Sequence, residues 1–491
     1  MKRISLLRLA ISFSFVLGIL SSDKVLAQRE VSTGIEEIVV TAQKREENLQ
    51  DVPASVSAMD AATLEKTFAR DLMDVAGVSP NLIIDPILGN GTAAISIRGV
   101  QMNDVEKSFD PAVAVYQDGI YLATATGALL NTWDAERIEV LRGPQGTMFG
   151  RNTIGGLVHV IRAKPNGEAG IKVNITAAED DQKDFKTVIN FPAILDGTLA
   201  TKITAMNLDG GDYFNNPTRG EDEGGVDVEA YSFSGLWNPT DNLQIHLTVD
   251  RIEDNTDVRP VSCFTSPGEL FSALGQPIAT ECNGGSNLGF HRTVFQETDQ
   301  RASVEIDALT LNVEYDLNEN NKLVLVYGSR EMEETSLQEF DASSIDFFRV
   351  SRPQFEEQES FEVRLESKFS WGQTTIGAYL WDSEYDAWQT TYFFGGFNDS
   401  PRTFHSTENT AFFGQVDYDI TDKLTLSVGG RWIDEEKEFC QLFTNPAGDA
   451  TPVFNWYGAD NDPRIISKSW GACPNYADAT AQNDYTDPVT G

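Results

Sequence analysis

From residue 170 onward, apolar and polar residues alternate. Ile171, Val173 and Ile175 interleave with Lys172, Asn174 and Thr176, and Ile245, Leu247 and Val249 with His246, Thr248 and Asp250. Phe361, Val363 and Leu365 interleave with Glu362, Arg364 and Glu366, and Leu424, Leu426 and Val428 with Thr425 and Ser427. A period of two places the two sets on opposite faces of an extended chain, so each segment reads as a strand with one apolar and one polar face. No run of about 18 apolar residues occurs, so nothing here can cross a bilayer as a helix. Strands joined alternately by short turns and long polar loops fit a transmembrane barrel, with lipid outside and water inside. A soluble β-sandwich alternates in the same way. Strands read as about ten residues long, the lack of a partner sheet, and aromatics read at strand ends (Trp371, Tyr379, Trp381, Tyr385, Phe393, Phe394) favour the barrel. About eleven strands fit into 170–440, roughly half of the 22 of a barrel wide enough to enclose a plugged lumen.

The N-terminus carries an export signal. Lys2, Arg3 and Arg8 precede an almost unbroken apolar run from Leu9 to Leu20, and Val25 and Ala27 occupy the small-residue positions of a cleavage site. Residues 1–27 are therefore a signal peptide. Residues 28–50 are polar except for the β-prone string Glu36-Glu37-Ile38-Val39-Val40-Thr41-Ala42. Such a string can add to the edge of another protein's sheet through main-chain hydrogen bonds. Residues 51–165 read as a compact α/β unit. Leu64, Phe68, Leu72 and Val75 share one face of a helix predicted over Asp60 to Ala76, and Asp118-Gly119 predicts a hairpin turn. Between Glu136 and Pro165, two apolar runs flank a centre rich in glycine (Gly143, Gly146, Gly150, Gly155, Gly156), which predicts a tight strand–loop–strand.

The Glu136–Pro165 run closely resembles the signature of the plug domain of TonB-dependent outer-membrane receptors. The order of I-x-I-R-G at Ile95–Gly99, Y-x-D-G at Tyr116–Gly119 and L-R-G-P at Leu141–Pro144 resembles that plug throughout, and Thr410 to Glu438 resembles a hairpin of the family's barrel. The resemblance implies an α/β plug inside the lumen of an antiparallel barrel in the outer membrane of a Gram-negative bacterium. It implies a TonB box at Glu37, Ile38, Val39, Val40, Thr41 and Ala42, through which TonB and its inner-membrane energising complex act. The implied activity is uptake of an extracellular ligand, a ferric siderophore by default, with cobalamin, haem or oligosaccharide as alternatives and a passive porin less favoured. Arg98, Glu139, Arg142 and Arg151 are then candidates for plug–barrel ion pairs, as static anchors or as a switch, and Asp104 and Asp110 for ligand contacts. Family barrels end on an amphipathic strand with a terminal aromatic residue. Residues 483–491 have loop composition instead, so the sequence reads as a fragment cut within a loop.

The net charge is −38, and residues 166–491 hold 21 basic and 56 acidic residues. That excess excludes nucleic acid as a main partner. It reads either as a solvated lumen and loops or as a funnel favouring cations. Cys263, Cys282, Cys440 and Cys473 lie in stretches read as loops. An even count in an exported chain implies disulfides, with local pairing of 263 to 282 and 440 to 473 the economical choice among three connectivities. No cysteine has a partner at metal-ligand spacing, and no cofactor is implied. The four histidines (His159, His246, His291, His405) are scattered, and no catalytic motif is present. His159, within a plug strand, reads as structural.

Overall fold

The computed structural model describes residues 39–444, apart from 68, 70, 87–92, 103–109, 125, 128–131, 262–291, 345 and 394–395. Glu37, Ile38, Asp104, Cys263, Cys282 and Cys473 fall outside the described residues, as do residues 1–38 in full.

The first layer is the plug. A tail hairpin, β1 (Val39–Val40) and β2 (Glu47–Asn48), leads into β3 (Val56–Asp60) and two short helices, α1 (Ala61–Lys66) and α2 (Leu72–Ala76). The single predicted helix is thus two. The Asp60 side chain caps α1 by accepting from Thr63 N at 2.8 Å, and Asp71 starts a second helix by accepting from Met73 N at 2.8 Å. A capping aspartate satisfies orphan amides only at a helix start, so Asp71 favours the break. Leu64, Leu72 and Val75 still reach one core. Strands β4 (Leu82–Pro86) and β5 (Ala93–Ile97) pair with each other. β6 (Val113–Gln117), β7 (Ile120–Leu122), β8 (Ala135–Arg142) and β9 (Gly156–Arg162) join β3 in a five-stranded sheet of order β3-β8-β9-β6-β7. Only the β6–β9 pairing within it is parallel. Asp118 and Gly119 both have positive φ, 49° and 90°, as a two-residue hairpin turn requires. Gly156 has φ 135°, and a Cβ there would lie 2.1 Å from Leu141 O, so only glycine lets β9 approach β8.

The second layer is the barrel wall. Eleven long antiparallel strands pair in the order β10 (Gly170–Ala177), β11 (Lys183–Ile194), β12 (Leu199–Gly210), β15 (Val226–Thr240), β16 (Leu243–Asp254), β17 (Arg301–Asn318), β18 (Asn321–Glu339), β20 (Gln354–Phe369), β21 (Gly372–Trp388), β23 (Gly396–Thr421) and β24 (Leu424–Thr444). Two short strands at the long-loop end, β19 (Phe348–Ser351) and β22 (Thr390–Phe393), complete this sheet. β13 (Phe214–Asn216) and β14 (Glu221–Glu223) form a separate loop hairpin. The alternation holds. Phe361, Ile376, Leu380 and Phe412 are exposed on the outer face, whereas Glu356, Gln358, Glu362 and Gln415 are buried against the plug. Three expectations change. Tyr379, Trp381 and Tyr385 do not mark a strand end, because odd positions of β21 face the lumen: the first two pack on the plug, and Tyr385 Oη donates to Gln354 of β20 at 2.8 Å. Cys440 lies within β24 opposite Phe404 rather than in a loop. The strands also run 8 to 26 residues, well beyond the predicted ten.

That extra length carries charge. A strand of 16 to 19 residues rises about 50–60 Å, against an apolar band of about 25 Å. Towards the long loops the outer face therefore turns acidic, and the register aligns the carboxylates across strands. Asp307 faces Glu331, Glu331 faces Glu357, and Glu357 faces Glu384. Glu305 faces Glu333, Glu359 faces Asp382, and Asp382 faces Glu408. Arg251 relieves one end by pairing with Glu305 at 2.6 Å and Asp307 at 2.5 Å. Like charges directly opposite destabilise a sheet. The combined substitution Glu331→Gln, Glu357→Gln, Glu384→Gln is therefore expected to raise the thermal unfolding midpoint in detergent at low salt. The gain should shrink as salt is added, because exposed charges are screened. A midpoint that stays the same or falls at low salt refutes this.

Candidate functional site

Residues 39–48 of the tail fold onto the plug and the wall. Val39 pairs with Asn48 and Val40 with Glu47, and Val40 and Ala42 are buried in a cluster with Tyr116, Leu141, Phe149, Trp381 and Phe413. Glu139 on β8, fully buried, accepts from Thr41 N at 2.8 Å and Thr41 Oγ1 at 3.2 Å, and from Arg137 Nε at 2.9 Å. A buried carboxylate needs such donors, so the tail amide is drawn into the plug. The main-chain donor that strand addition would use is thereby occupied.

Beyond Thr41 the tail reaches the wall. Lys44 turns with φ 59° and its ammonium pairs with Glu362 on β20, within 5.2–5.9 Å of the Phe149, Tyr379 and Phe413 rings. Burial pulls the Lys44 ammonium below the ordinary lysine range, with Glu362 opposing. Arg45 pairs with Asp417 on β23, and Gln415 Nε2 donates to Gln43 at 3.1 Å.

A ring of contacts holds the plug body. Arg162 spans the seam, with Asp118 of the plug at 2.5 Å and Asp250 of β16 at 2.6 Å. Burial opposes the charge on Arg162, and the two carboxylates outweigh it and hold the guanidinium above its usual range. Lys202 of β12 pairs with Asp134. Gln358 on β20 donates to Tyr121 O at 2.6 Å and accepts from Ala123 N at 2.9 Å, so a wall amide completes the plug hairpin's main-chain bonding. Arg151 donates to Asp110 at 3.0 Å, lies 3.7 Å from Glu435 of β24, and places its guanidinium 4.3 Å from the Trp381 ring.

The nominated residues therefore separate. Arg151 meets the wall. Arg98 instead reaches Ser55 Oγ at 3.2 Å and Arg142 reaches Pro80 O at 3.5 Å, both within the plug. Glu139 holds the tail rather than the barrel. Asp110 pairs with Arg151 and Lys437, so both its oxygens already have protein partners. His159 is buried and its Nε2 accepts from Gly119 N at 3.0 Å, and burial pushes the ring below the ordinary imidazole range. Lys44, Arg45, Arg162 and Lys202 were not singled out from sequence. The two tail cations directly follow the β-prone string, a signal that was available. Among the described residues, Glu297, Glu339 and Asp341 form the one acidic group compact enough for a metal, and Thr298 N and Ser343 N already donate to Glu339.

Comparisons with known proteins agree with this architecture. Residues 48–157 match the family model "TonB-dependent Receptor Plug Domain", and residues 237–472 match "TonB dependent receptor-like, beta-barrel". The vitamin B12 transporter BtuB of Vibrio vulnificus is 30% identical over 172 residues, 34% of this chain and 27% of that protein. The pesticin receptor of Yersinia pestis is 30% identical over 205 residues, 41% of this chain and 29% of that protein. The ferric yersiniabactin uptake receptor FyuA from Yersinia pestis superposes with a TM-score of 0.68 at 18% identity, covering 80% of this chain and 58% of that one. The pyoverdine receptor FpvA from Pseudomonas aeruginosa PAO1 gives 0.66 at 13% identity, covering 83% and 61%. At those identities the solved structures bear on the fold alone. The chain matches under a third of the length of these curated relatives.

Two outcomes are expected. Glu139→Ala removes the acceptor that holds Thr41, a contact worth about 1–3 kcal/mol when the orphaned partner is buried. Hydrogen exchange at the Thr41 amide should accelerate by about tenfold or more, and unchanged protection refutes the contact. Asp118 is held below the ordinary aspartate range: burial raises its pKa, but Arg162 pairing and bonding more than offset this. A depressed carboxylate adds stability above its unfolded pKa of about 3.9 and loses it as pH falls through the folded value. The difference in unfolding midpoint between wild type and Asp118→Asn should therefore be constant from pH 6 to 8 and narrow below about pH 4. A difference that persists in acid contradicts the pairing.

Proposed function

The chain belongs to the TonB-dependent receptors of the Gram-negative outer membrane, and from that premise we propose that it imports a ferric siderophore by TonB-driven extraction of its tail. The family is one of receptors and transporters rather than enzymes. One observation carries the reading: the β-prone segment is stowed against Glu139 and strapped to the wall through Lys44 and Arg45. A strand-adding partner that captures residues 36–42 competes for the Thr41 amide and then loads the two tail ion pairs. A passive pore has no use for such a strap, and here the plug side chains occupy the lumen.

Siderophore is the favoured cargo because the sequence relatives also include an iron-regulated outer membrane virulence protein of Vibrio cholerae and a ferrioxamine B receptor of Salmonella typhimurium. Cobalamin is the second reading, favoured by the 30% identity to a vitamin B12 transporter. Deletion of residues 36–42 tests the coupling. Binding of cargo to whole cells should survive, while uptake falls to the level of a strain lacking TonB. Undiminished uptake refutes active transport. Growth of a receptor-dependent strain on a panel of ferric chelates, with cobalamin in parallel, separates the two cargoes.

A further inference from the structure

A cavity of about 550 Å³ lies between the tail, the plug and the wall, within the about 300–1,000 Å³ usual for ligand-sized pockets. Its three walls are distinct. The tail supplies Thr41 and Lys44, the plug His159 and Arg162, and the barrel Asn312 and Glu362. It extends to the short turn at Asn318–Lys322, the end of the barrel opposite the long loops. It therefore lies on one flank of the plug, facing β16 to β21.

The cavity is built to solvate a polar guest. His159 Nε2 accepts a bond, so the proton sits on Nδ1, and that buried donor has no protein acceptor. Arg162 Nη2 and Arg45 Nη1 are likewise buried donors without a protein acceptor. At the other end the closure is thin and apolar. Along β18 the lumen-facing positions climb from Lys322 through Val324 and Val326 to Gly328, and Ile120 of the plug hairpin packs on both valines. A Cβ on Gly328 would meet Ile120 at 2.6–2.8 Å, so the side chain sits directly on the strand.

We propose that this cavity is the exit station for the cargo, a hydrophilic guest rich in hydrogen-bonding groups. Ile120 on Gly328 is its upper seal, and the tail is its removable wall. Extraction of residues 41–46 opens the side towards the turns. Displacement of Ile120 opens the other, so the cargo passes along β16 to β21 while the plug stays docked on β24. The proposal rests on the coupled-uptake reading and adds a location to it.

Two disulfide tethers in the full-length receptor test it. Ile120→Cys with Gly328→Cys locks the seal, and the smaller side chain makes room for the new Cβ. Thr147→Cys with Gly429→Cys ties the plug to β24 and leaves the Ile120 seal free, and a Cβ on Gly429 would lie 2.9 Å from Thr147 Cγ2. The probe is radiolabelled ferric siderophore prepared from the iron-starved medium of the host strain. Under oxidising conditions the seal tether should abolish uptake without loss of surface binding, and reduction should restore it. The β24 tether should transport as wild type does. Transport through the locked seal overturns the proposal, as does equal blockage by both tethers, which would mean that the whole plug must leave. A second readout avoids disulfide strain. With Asn312→Cys, a bulky thiol adduct should block uptake and a methyl adduct should not, and equal transport with both overturns the proposal. Uptake that survives deletion of residues 39–46 instead overturns the coupling itself, a result the tethers do not imitate.

Discussion

Everything in this molecule depends on neutralising charge where a folded plug meets a carboxylate-lined wall. The wall must be polar inside, because a strand with one lipid face has the other turned to the lumen. Once the plug fills that lumen, Glu362, Asp417 and Asp250 lose their water and need cations. Lys44, Arg45 and Arg162 supply them. The tail and the last plug strand therefore run where they do because the wall's carboxylates require it. The apolar cluster joining Val40, Phe149, Trp381 and Phe413 then closes around these pairs.

Such a seam is specific without being very strong. The attraction within a buried ion pair is largely offset by the desolvation of both groups, whereas removal of one partner leaves an uncompensated charge and costs several kcal/mol. A plug held this way docks in one register and resists partial displacement. It can also be rehydrated: as water enters, each charge recovers its solvation. An apolar seam of the same area would have no comparable compensation, since water gains nothing from apolar surface.

Much of this was legible locally. Strand alternation reports directly which face meets lipid, so the eleven wall strands and the inward rows of β16 and β20 could be read without tertiary knowledge. The Asp-Gly hairpin and the glycine-rich turn between β8 and β9 are likewise set by backbone sterics. The fate of the tail was not legible, because the site that buries Val40 is assembled from Tyr116, Leu141 and two wall strands more than 300 residues away. Nor could the arginines be told apart. Arg142 and Arg151 lie nine residues apart in one motif, yet the intervening turn sends one to Pro80 and the other to Trp381. The aromatics of β21 were misplaced for a related reason. A tyrosine or tryptophan is as well suited to packing on a plug as to lying at a membrane interface.

The geometry of the contacts also orders their failure under load. Thr41–Glu139, Lys44–Glu362 and Arg45–Asp417 lie in succession along one short segment, so a pull from its N-terminal end meets them one at a time, as in unzipping. Arg162–Asp250, Lys202–Asp134 and Arg151–Glu435 are spread around the plug on β16, β12 and β24, so any force that reaches the plug body is shared among them. Contacts loaded in series yield at the strength of one, and contacts loaded in parallel yield near the strength of their sum. The tail therefore parts from the wall before the plug body moves, and a modest pull is converted into a local opening rather than into loss of the plug.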